Sequence, residues 1–261
     1  MIATAMTLNF REQGEGPPLI ILHGLFGSLE NWAHIAQQLS ENFKVFTLDQ
    51  RNHGSSPHSP DMNFPVLARD VSEFLKEHHI QRAHILGHSL GGKAAMEFAL
   101  SECANVDRLV VVDMAPRGYP RRHDEIFQAL LALRLEAFRT RAEVEQALAG
   151  DIPDLAVRRF LLKGLAQDEP GRFRWRFNLP VLFQRYGELT EAVAGGRVCD
   201  RPALFIRGGE SDYVRHEDLP LIRKFFPHAE IATIESASHW VHAEQPEKFL
   251  DQTRKFLCGN F

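Results

Sequence analysis

Short apolar runs alternate along the chain with segments whose apolar residues recur every three or four positions. The short runs are rich in β-branched residues and predict strands at 19–22, 43–48, 83–86, 109–113, 203–207 and 230–234. The segments with helical spacing include 64–75 and 249–257. Alternation of strands and helices is typical of a mostly parallel sheet that is covered by helices. The pattern therefore predicts an α/β fold.

The alternation stops between residues 117 and 200. Helical patterns continue there, but no convincing buried strand is found. The helical patterns lie at 122–139, 142–149, 154–166 and 180–194. We therefore expect a core domain built from residues 1–116 and 201–261, with a helical cap inserted at 117–200.

Composition narrows the class of protein. With 261 residues, of which 44% are hydrophobic and 25% charged, the chain has the composition of a globular protein and not of a disordered one. Its formal net charge of −4 gives no general reason to bind nucleic acid. We find no run of roughly 18 apolar residues to predict a membrane span, and no basic and apolar leader to predict secretion.

The cysteines are an odd number at wide spacings. Cys103, Cys199 and Cys258 form no C-x-x-C pair that would indicate a zinc site or redox chemistry. We expect all of them to be reduced and the protein to be cytoplasmic, as a monomer or a small homo-oligomer.

A candidate nucleophile lies where the strand at 83–86 meets the next helical segment. The junction reads Gly87-His88-Ser89-Leu90-Gly91, which is a G-x-S-x-G motif in a strand–turn–helix setting. Glycine is needed at both ends because the turn is strained and a side chain there would collide with the neighbouring helix or strand. We therefore predict that Ser89 is an exposed nucleophile.

A serine hydroxyl needs a base and a site for the oxyanion that its attack creates. His239 follows the last strand, comes after the serine in the chain and precedes the final helix, so we predict it as the base. The first buried strand ends in HGLFG at 23–27, at the same edge of the sheet. We expect the backbone N–H groups of Leu25 and Leu90 to form the oxyanion hole, with Phe26 as a less favoured donor.

Two aspartates could complete a triad by holding the histidine. Asp113 closes the strand at 109–113, whereas Asp212 lies in the G-x-x-D stretch after the strand at 203–207. Both lie at carboxyl ends of strands, and both fit the chain order Ser, Asp, His. The residues alone leave the choice open.

Several stretches of the sequence resemble the α/β-hydrolase superfamily. They are HGLFG at 23–27, DQRNHGSS at 49–56, GHSLGG at 87–92 and SHWVHAEQPE at 238–247. Within the superfamily the chain is most similar to small bacterial esterases of the YbfF type, which share HGLFGS, RNHG, GHSxGGKA and VDxAP. The resemblance implies an α/β-hydrolase fold with an inserted cap. It favours Asp113 as the acid, because in that subgroup the acid is the aspartate of VDxAP, and it leaves Asp212 as the alternative.

The sequence therefore predicts a serine hydrolase that acts on small carboxylic esters or acyl thioesters through an acyl-enzyme, without metal or cofactor. We expect Phe26, His88, Trp175 and Trp240 at the substrate pocket. Trp175 belongs to an alternating run of arginines and aromatics at 172–177, whose aromatic side would face the core domain. Alternatives with the same residues are a C–C bond hydrolase or a menaquinone-pathway-type lyase. A cap-closing ligand-binding module is the non-enzymatic alternative.

Overall fold

A central sheet of seven strands organises the molecule. The structure is a computed structural model that describes residues 6–169, 172–193 and 197–259. The strands of the central sheet are β1 (Phe10–Gln13), β2 (Pro18–Leu22), β3 (Lys44–Leu48), β4 (Ala83–His88), β5 (Val106–Val112), β8 (Ala203–Gly208) and β9 (Ala229–Ile234). Their spatial order is β1-β3-β2-β4-β5-β8-β9, and all neighbours are parallel except β1 and β3.

Helices cover both faces of this sheet. They are α1 (Ala33–Leu39), α2 (Phe64–Glu77), α3 (Leu90–Ser101), α9 (Leu219–Phe225), α10 (Val241–Glu244) and α11 (Pro246–Leu257). The central strands are largely apolar because both of their faces are buried. One apolar core lies under α2 and α3, and a second lies under α1 and α11. In α3 every residue from Leu90 to Leu100 is buried.

The chain between β5 and β8, which we call the cap segment, packs on the first of these cores. Its elements are α4 (Asp124–Ala132), α5 (Arg141–Leu148), α6 (Leu155–Lys163), β6 (Leu165–Glu169), β7 (Arg172–Trp175), α7 (Leu179–Gln184) and α8 (Tyr186–Thr190). The apolar residues of these elements, among them Phe127, Leu161 and Leu182, are continuous with the core of the sheet. The cap segment therefore shares one hydrophobic core with the sheet.

The predicted strands and the parallel sheet are confirmed, but two features were missed. β1 is short and half-buried, so it lacks the apolar run by which the other strands were found. The expectation of a cap without strands is wrong, because β6 and β7 form an antiparallel hairpin. Only Leu165 and Ala166 of β6 are buried, and its other residues are exposed. The helix expected at 154–166 accordingly ends at Lys163.

Two of the cysteines are bonded to each other. Cys103 and Cys199 form a disulfide with their Cα atoms 5.4 Å apart, although the two residues are 96 positions apart in the chain. Cys103 lies just before β5 and Cys199 just before β8, and these strands are neighbours in the sheet. The expectation of reduced cysteines is therefore wrong for this pair, and the cytoplasmic location loses the support it drew from them. Within the described ranges, no helix combines the length and apolar character that crossing a bilayer requires.

The disulfide predicts how the thiols react. Denatured without reductant, the protein should take up iodoacetamide at Cys258 alone, because this is the free and exposed cysteine. After reduction all of the cysteines should be alkylated, as counted by mass spectrometry. A Cys258→Ser variant is the control and should remain unlabelled until it is reduced. Labelling of Cys103 or Cys199 before reduction would contradict the pairing.

Candidate active site

The turn between β4 and α3 holds Ser89 in a left-handed conformation, with φ at 54°. A Cβ atom at Gly87 would lie 2.1 Å from the carbonyl oxygen of Gly91. A Cβ atom at Gly91 would lie 2.4 Å from the carbonyl oxygen of Leu22 in β2. Neither position admits a side chain, so both glycines are required for α3 to begin this close to the sheet. The turn raises Ser89 to the carboxyl edge of the strands.

His239 lies within hydrogen-bond reach of Ser89. It belongs to the loop between β9 and α10, and its Nε2 atom is 3.0 Å from Ser89 Oγ. Its Nδ1 atom is 2.8 Å from Asp113 Oδ2. The loop is held by His88, whose Nε2–H donates to the carbonyl oxygen of His239 at 2.9 Å. The ring of Tyr213 stacks on the ring of His239, with centroids 3.8 Å apart.

Asp113 is buried at the end of β5, and its carboxylate accepts further hydrogen bonds. The backbone N–H of Gly208 donates to Oδ1 at 3.1 Å, and the hydroxyl of Ser211 donates to Oδ2. Both donors lie in or just after β8, the neighbouring strand. These contacts fix the carboxylate in a position where it can accept the Nδ1–H of His239.

Asp212, the alternative acid, makes different contacts. Its side chain is 56% exposed and forms a bidentate ion pair with Arg122 of the cap segment, at 2.5 and 2.8 Å. Arg215 is a second partner at 3.4 Å. The hydrogen bond and the charge of Arg122 lower the pKa of Asp212 to about 2. The structure therefore brings Asp113 to His239 and joins Asp212 to the cap segment.

Of the candidate oxyanion donors, Phe26 is already engaged. Its backbone N–H donates to His53 Nε2 at 3.3 Å, and His53 Nδ1–H donates to the carbonyl oxygen of Arg51. Burial lowers the pKa of His53 to about 3, so this ring stays a neutral acceptor. In the described part of the chain, the backbone N–H groups of Leu25 and Leu90 have no partner, and both residues border the cavity beside Ser89.

Burial shifts the pKa values of both partners of the Asp113–His239 pair. Removal from water raises the pKa of Asp113 to about 7 and lowers the pKa of His239 to about 3. The positive charges of His123, when it is protonated, and of Arg122 lower the pKa of His239 further. Because the two groups share one hydrogen bond, the proton that leaves near neutral pH belongs to the pair. Only after it has left is His239 Nε2 free to accept a proton from Ser89.

Ser89 lies at the junction of two cavities. The larger, of about 200 Å³, has mainly apolar walls contributed by both the core and the cap segment, including Leu25, Phe26, Val157, Phe160 and Leu161. The smaller, of about 40 Å³, is bordered by Ser89, by the polar side chains of Lys93, Tyr119, Arg122, His123 and Tyr213, and by apolar residues such as Met114 and Leu189. An ester bound at Ser89 would therefore have an apolar chamber on one side and, on the other, a small cavity that has charged and polar side chains in its wall.

A third and more open cavity, of about 610 Å³, adjoins the apolar chamber. The two cavities share His88, Phe160 and Trp240 in their walls. The rings of Phe160 and Trp240 lie 5.6 Å apart, one on cap helix α6 and one beside His239. This aromatic pair therefore lies in the wall that the open cavity and the apolar chamber share.

The predicted pocket residues do not all meet at Ser89. Phe26, His88 and Trp240 line the apolar chamber. Trp175 stacks on Phe177 and lines a separate surface depression on the cap segment. The run at 172–177 alternates as expected, with Phe173 and Phe177 buried. On its aromatic side Phe177 packs against Phe26 of the core domain, with ring centroids 5.2 Å apart, as expected, but Trp175 itself lies outside the apolar chamber.

Sequence reasoning missed several residues around Ser89. His53 lies in the RNHG stretch, Ser211 in the G-x-x-D stretch and Tyr213 directly after it, but nothing in their spacing shows what they contact. Phe160 is one of several apolar residues in α6, and the sequence does not distinguish it from the others. Among the described residues, no group of three or more His, Cys, Asp or Glu side chains is placed to hold a metal ion.

Comparison with known proteins finds relatives over almost the whole chain. The family model of the alpha/beta hydrolase fold matches residues 17–246. Esterase YbfF of Escherichia coli is 38% identical over 260 residues, which cover 97% of this chain and 99% of that protein. The sn-1-specific diacylglycerol lipase ABHD11 of Xenopus tropicalis is 38% identical over 250 residues, which cover 93% of this chain and 78% of that protein.

A solved structure shows the same arrangement of elements. The structure titled marine microorganism esterase matches with a TM-score of 0.94 and 40% identity, covering 97% of this chain and 100% of that one. A family match over most of the chain, together with relatives this similar over nearly their whole length, shows that the chain belongs to the α/β-hydrolase fold family.

Proposed function

We propose that this chain hydrolyses carboxylic esters through a covalent acyl-enzyme formed on Ser89. The observation that carries the proposal is the continuous line of hydrogen bonds from Ser89 through His239 to Asp113, with links of 3.0 and 2.8 Å. Relatives named esterase and diacylglycerol lipase support action on ester bonds. Acyl thioesters react by the same chemistry and are a second substrate class for this site.

The site residues divide the steps of the proposed reaction among them. Ser89 Oγ attacks the acyl carbon while His239 Nε2 accepts its proton, and Asp113 stabilises the imidazolium that forms. The N–H groups of Leu25 and Leu90 hold the oxyanion. His239 then protonates the departing alcohol, which leaves the acyl group on Ser89. A water molecule, deprotonated by the same histidine, then attacks the acyl carbon; the bond to Ser89 breaks, the acid leaves, and His239 returns the proton to Ser89 Oγ.

Residues 117–200 serve as the lid of this site in our proposal. Cap residues form part of the wall of the apolar chamber, so the lid selects the part of the substrate that lies there. An apolar chamber favours an ester with a hydrocarbon group over one that carries a charge at the same place. A C–C bond hydrolase or a lyase would use the same serine and histidine, but no feature of the site favours either. A cytoplasmic location stays a prediction.

Replacement of Ser89 tests the function itself. Ser89→Ala should lower the turnover of nitrophenyl esters by on the order of 10⁴, because the nucleophile is lost while the turn keeps its shape. Initial rates and a thermal melt are measured side by side. Ser101→Ala, at the other end of α3, is the matched control and should keep full activity. Ser89→Ala activity above a few per cent of the wild-type rate would refute the acyl-enzyme mechanism.

The two aspartates should differ by orders of magnitude. Asp113→Asn should reduce kcat by about 10⁴, because it leaves His239 without the acceptor that fixes its tautomer. Asp212→Asn removes an exposed ion pair worth at most about 1 kcal/mol, so its kcat should fall less than tenfold. Steady-state kinetics on one ester compares them. A large loss of kcat in Asp212→Asn, together with an active Asp113→Asn, would show that Asp212 is the acid.

The pH profile should follow the Asp113–His239 pair. The pair holds its shared proton below about pH 7, so kcat/KM should rise roughly tenfold per pH unit below that point and level off above it. Initial rates from about pH 5 to 9, corrected for spontaneous hydrolysis, provide the measurement. The same rise of kcat/KM below pH 7 should be seen in Asp212→Asn. A flat profile below neutral pH would argue against a histidine base.

A further inference from the structure

Lys93 is a buried lysine that the proposed reaction does not use. It lies one helical turn after the nucleophile, and its backbone N–H donates to the carbonyl oxygen of Ser89 at 3.0 Å. The residue is only 1% exposed. Removal from water, reinforced by the neighbouring Arg117, lowers the pKa of Lys93 to about 7. Removing a lysine amine from water costs free energy, so a buried lysine needs hydrogen-bond partners for its amine.

The partners are two backbone carbonyls at the ends of the cap segment. The amine donates to the carbonyl oxygen of Arg117 at 2.6 Å and to that of Glu191. The chain leaves the core at 116–119 and returns to it at 190–193, and we call these two stretches the cap crossings. One amine therefore holds both of them.

The cap crossings are also bonded to each other. The N–H of Tyr119 donates to the carbonyl oxygen of Thr190 at 2.8 Å, and the N–H of Val193 donates to that of Pro116 at 3.0 Å. The rings of Phe64 and Tyr119 lie 5.2 and 5.0 Å from the Lys93 amine. Cation–π attraction to these rings adds to the hydrogen bonds.

We propose that Lys93 is a positioning residue, whose amine fixes both cap crossings to the nucleophile's helix and thereby sets the shape of the cavities over Ser89. Cap side chains such as Val157, Phe160 and Leu161 line the apolar chamber, so their distance from Ser89 depends on where the crossings lie. Movement of the crossings alters how the substrate fits. It leaves the bond chemistry at Ser89 and His239 in place.

The inference rests on the proposed function for its kinetic test. Lys93→Met keeps the length of the side chain but removes its donors. It should raise KM for a nitrophenyl butyrate about tenfold, the equivalent of one hydrogen bond from a charged group, and change kcat less than threefold. Lys93→Arg, which keeps donors for both carbonyls, should recover part of the lost affinity. Phe98→Leu, a core change on the same helix, is the control for lost stability and should leave KM unchanged.

Hydrogen exchange tests the inference without any substrate. The amides of Tyr119 and Val193 should exchange at least tenfold faster in Lys93→Met than in wild type or Phe98→Leu. Lys93→Gln, which keeps a shorter donor, replaces Lys93→Met should the latter not fold. Unchanged exchange at both amides would overturn the inference, as would an equal rise in KM in Phe98→Leu. If no ester is turned over by the wild-type protein, the proposed function fails, and the exchange rates still decide the role of Lys93.

Discussion

The site depends on how closely α3 approaches the sheet. At Gly87 and Gly91 a single Cβ atom would collide with backbone atoms, one within the turn and the other in β2. The tight turn gives Ser89 a positive φ and presents its hydroxyl at the edge where the strands end. The same turn brings the N–H of Leu90 beside the loop that follows β2. One steric constraint therefore places Ser89, the proposed nucleophile, and aligns one of its proposed oxyanion donors.

Parallel strands explain why two acids looked equivalent. β5 and β8 are neighbours, so the residues after them, Asp113 and Asp212, reach the same edge of the sheet. Their difference arises from contacts that only the folded chain makes. Asp113 has a φ of 47° and is bonded to the N–H of Gly208, a residue of the adjacent strand. Asp212 is instead neutralised by Arg122, which comes from the cap segment.

The features that depend on the local pattern of residues could be predicted from the sequence. Apolar runs located the central strands, and the setting of Ser89 and His239 after strands identified both before any contact was known. Sequence analysis failed where a feature depends on contacts between segments that are distant in the chain. The bond between Cys103 and Cys199 follows from the adjacency of β5 and β8, which spacing along the chain does not reveal. Trp175 lies in an alternating segment, but the alternation cannot tell which neighbour the aromatic side covers.

Neutral histidines surround the base, and their neutrality has a function in the proposed reaction. The ring of His88 lies 4.7 Å from that of His239, and the ring of His242 lies 4.7 Å from that of His88. Burial lowers the pKa of His88 and His242 well below the usual range, so neither carries charge near neutral pH. A charged His88 would repel the imidazolium that His239 becomes during attack. Because these rings are buried and neutral, Asp113 is the charged group that is hydrogen-bonded to His239. Its negative charge stabilises the imidazolium and so favours proton transfer from Ser89.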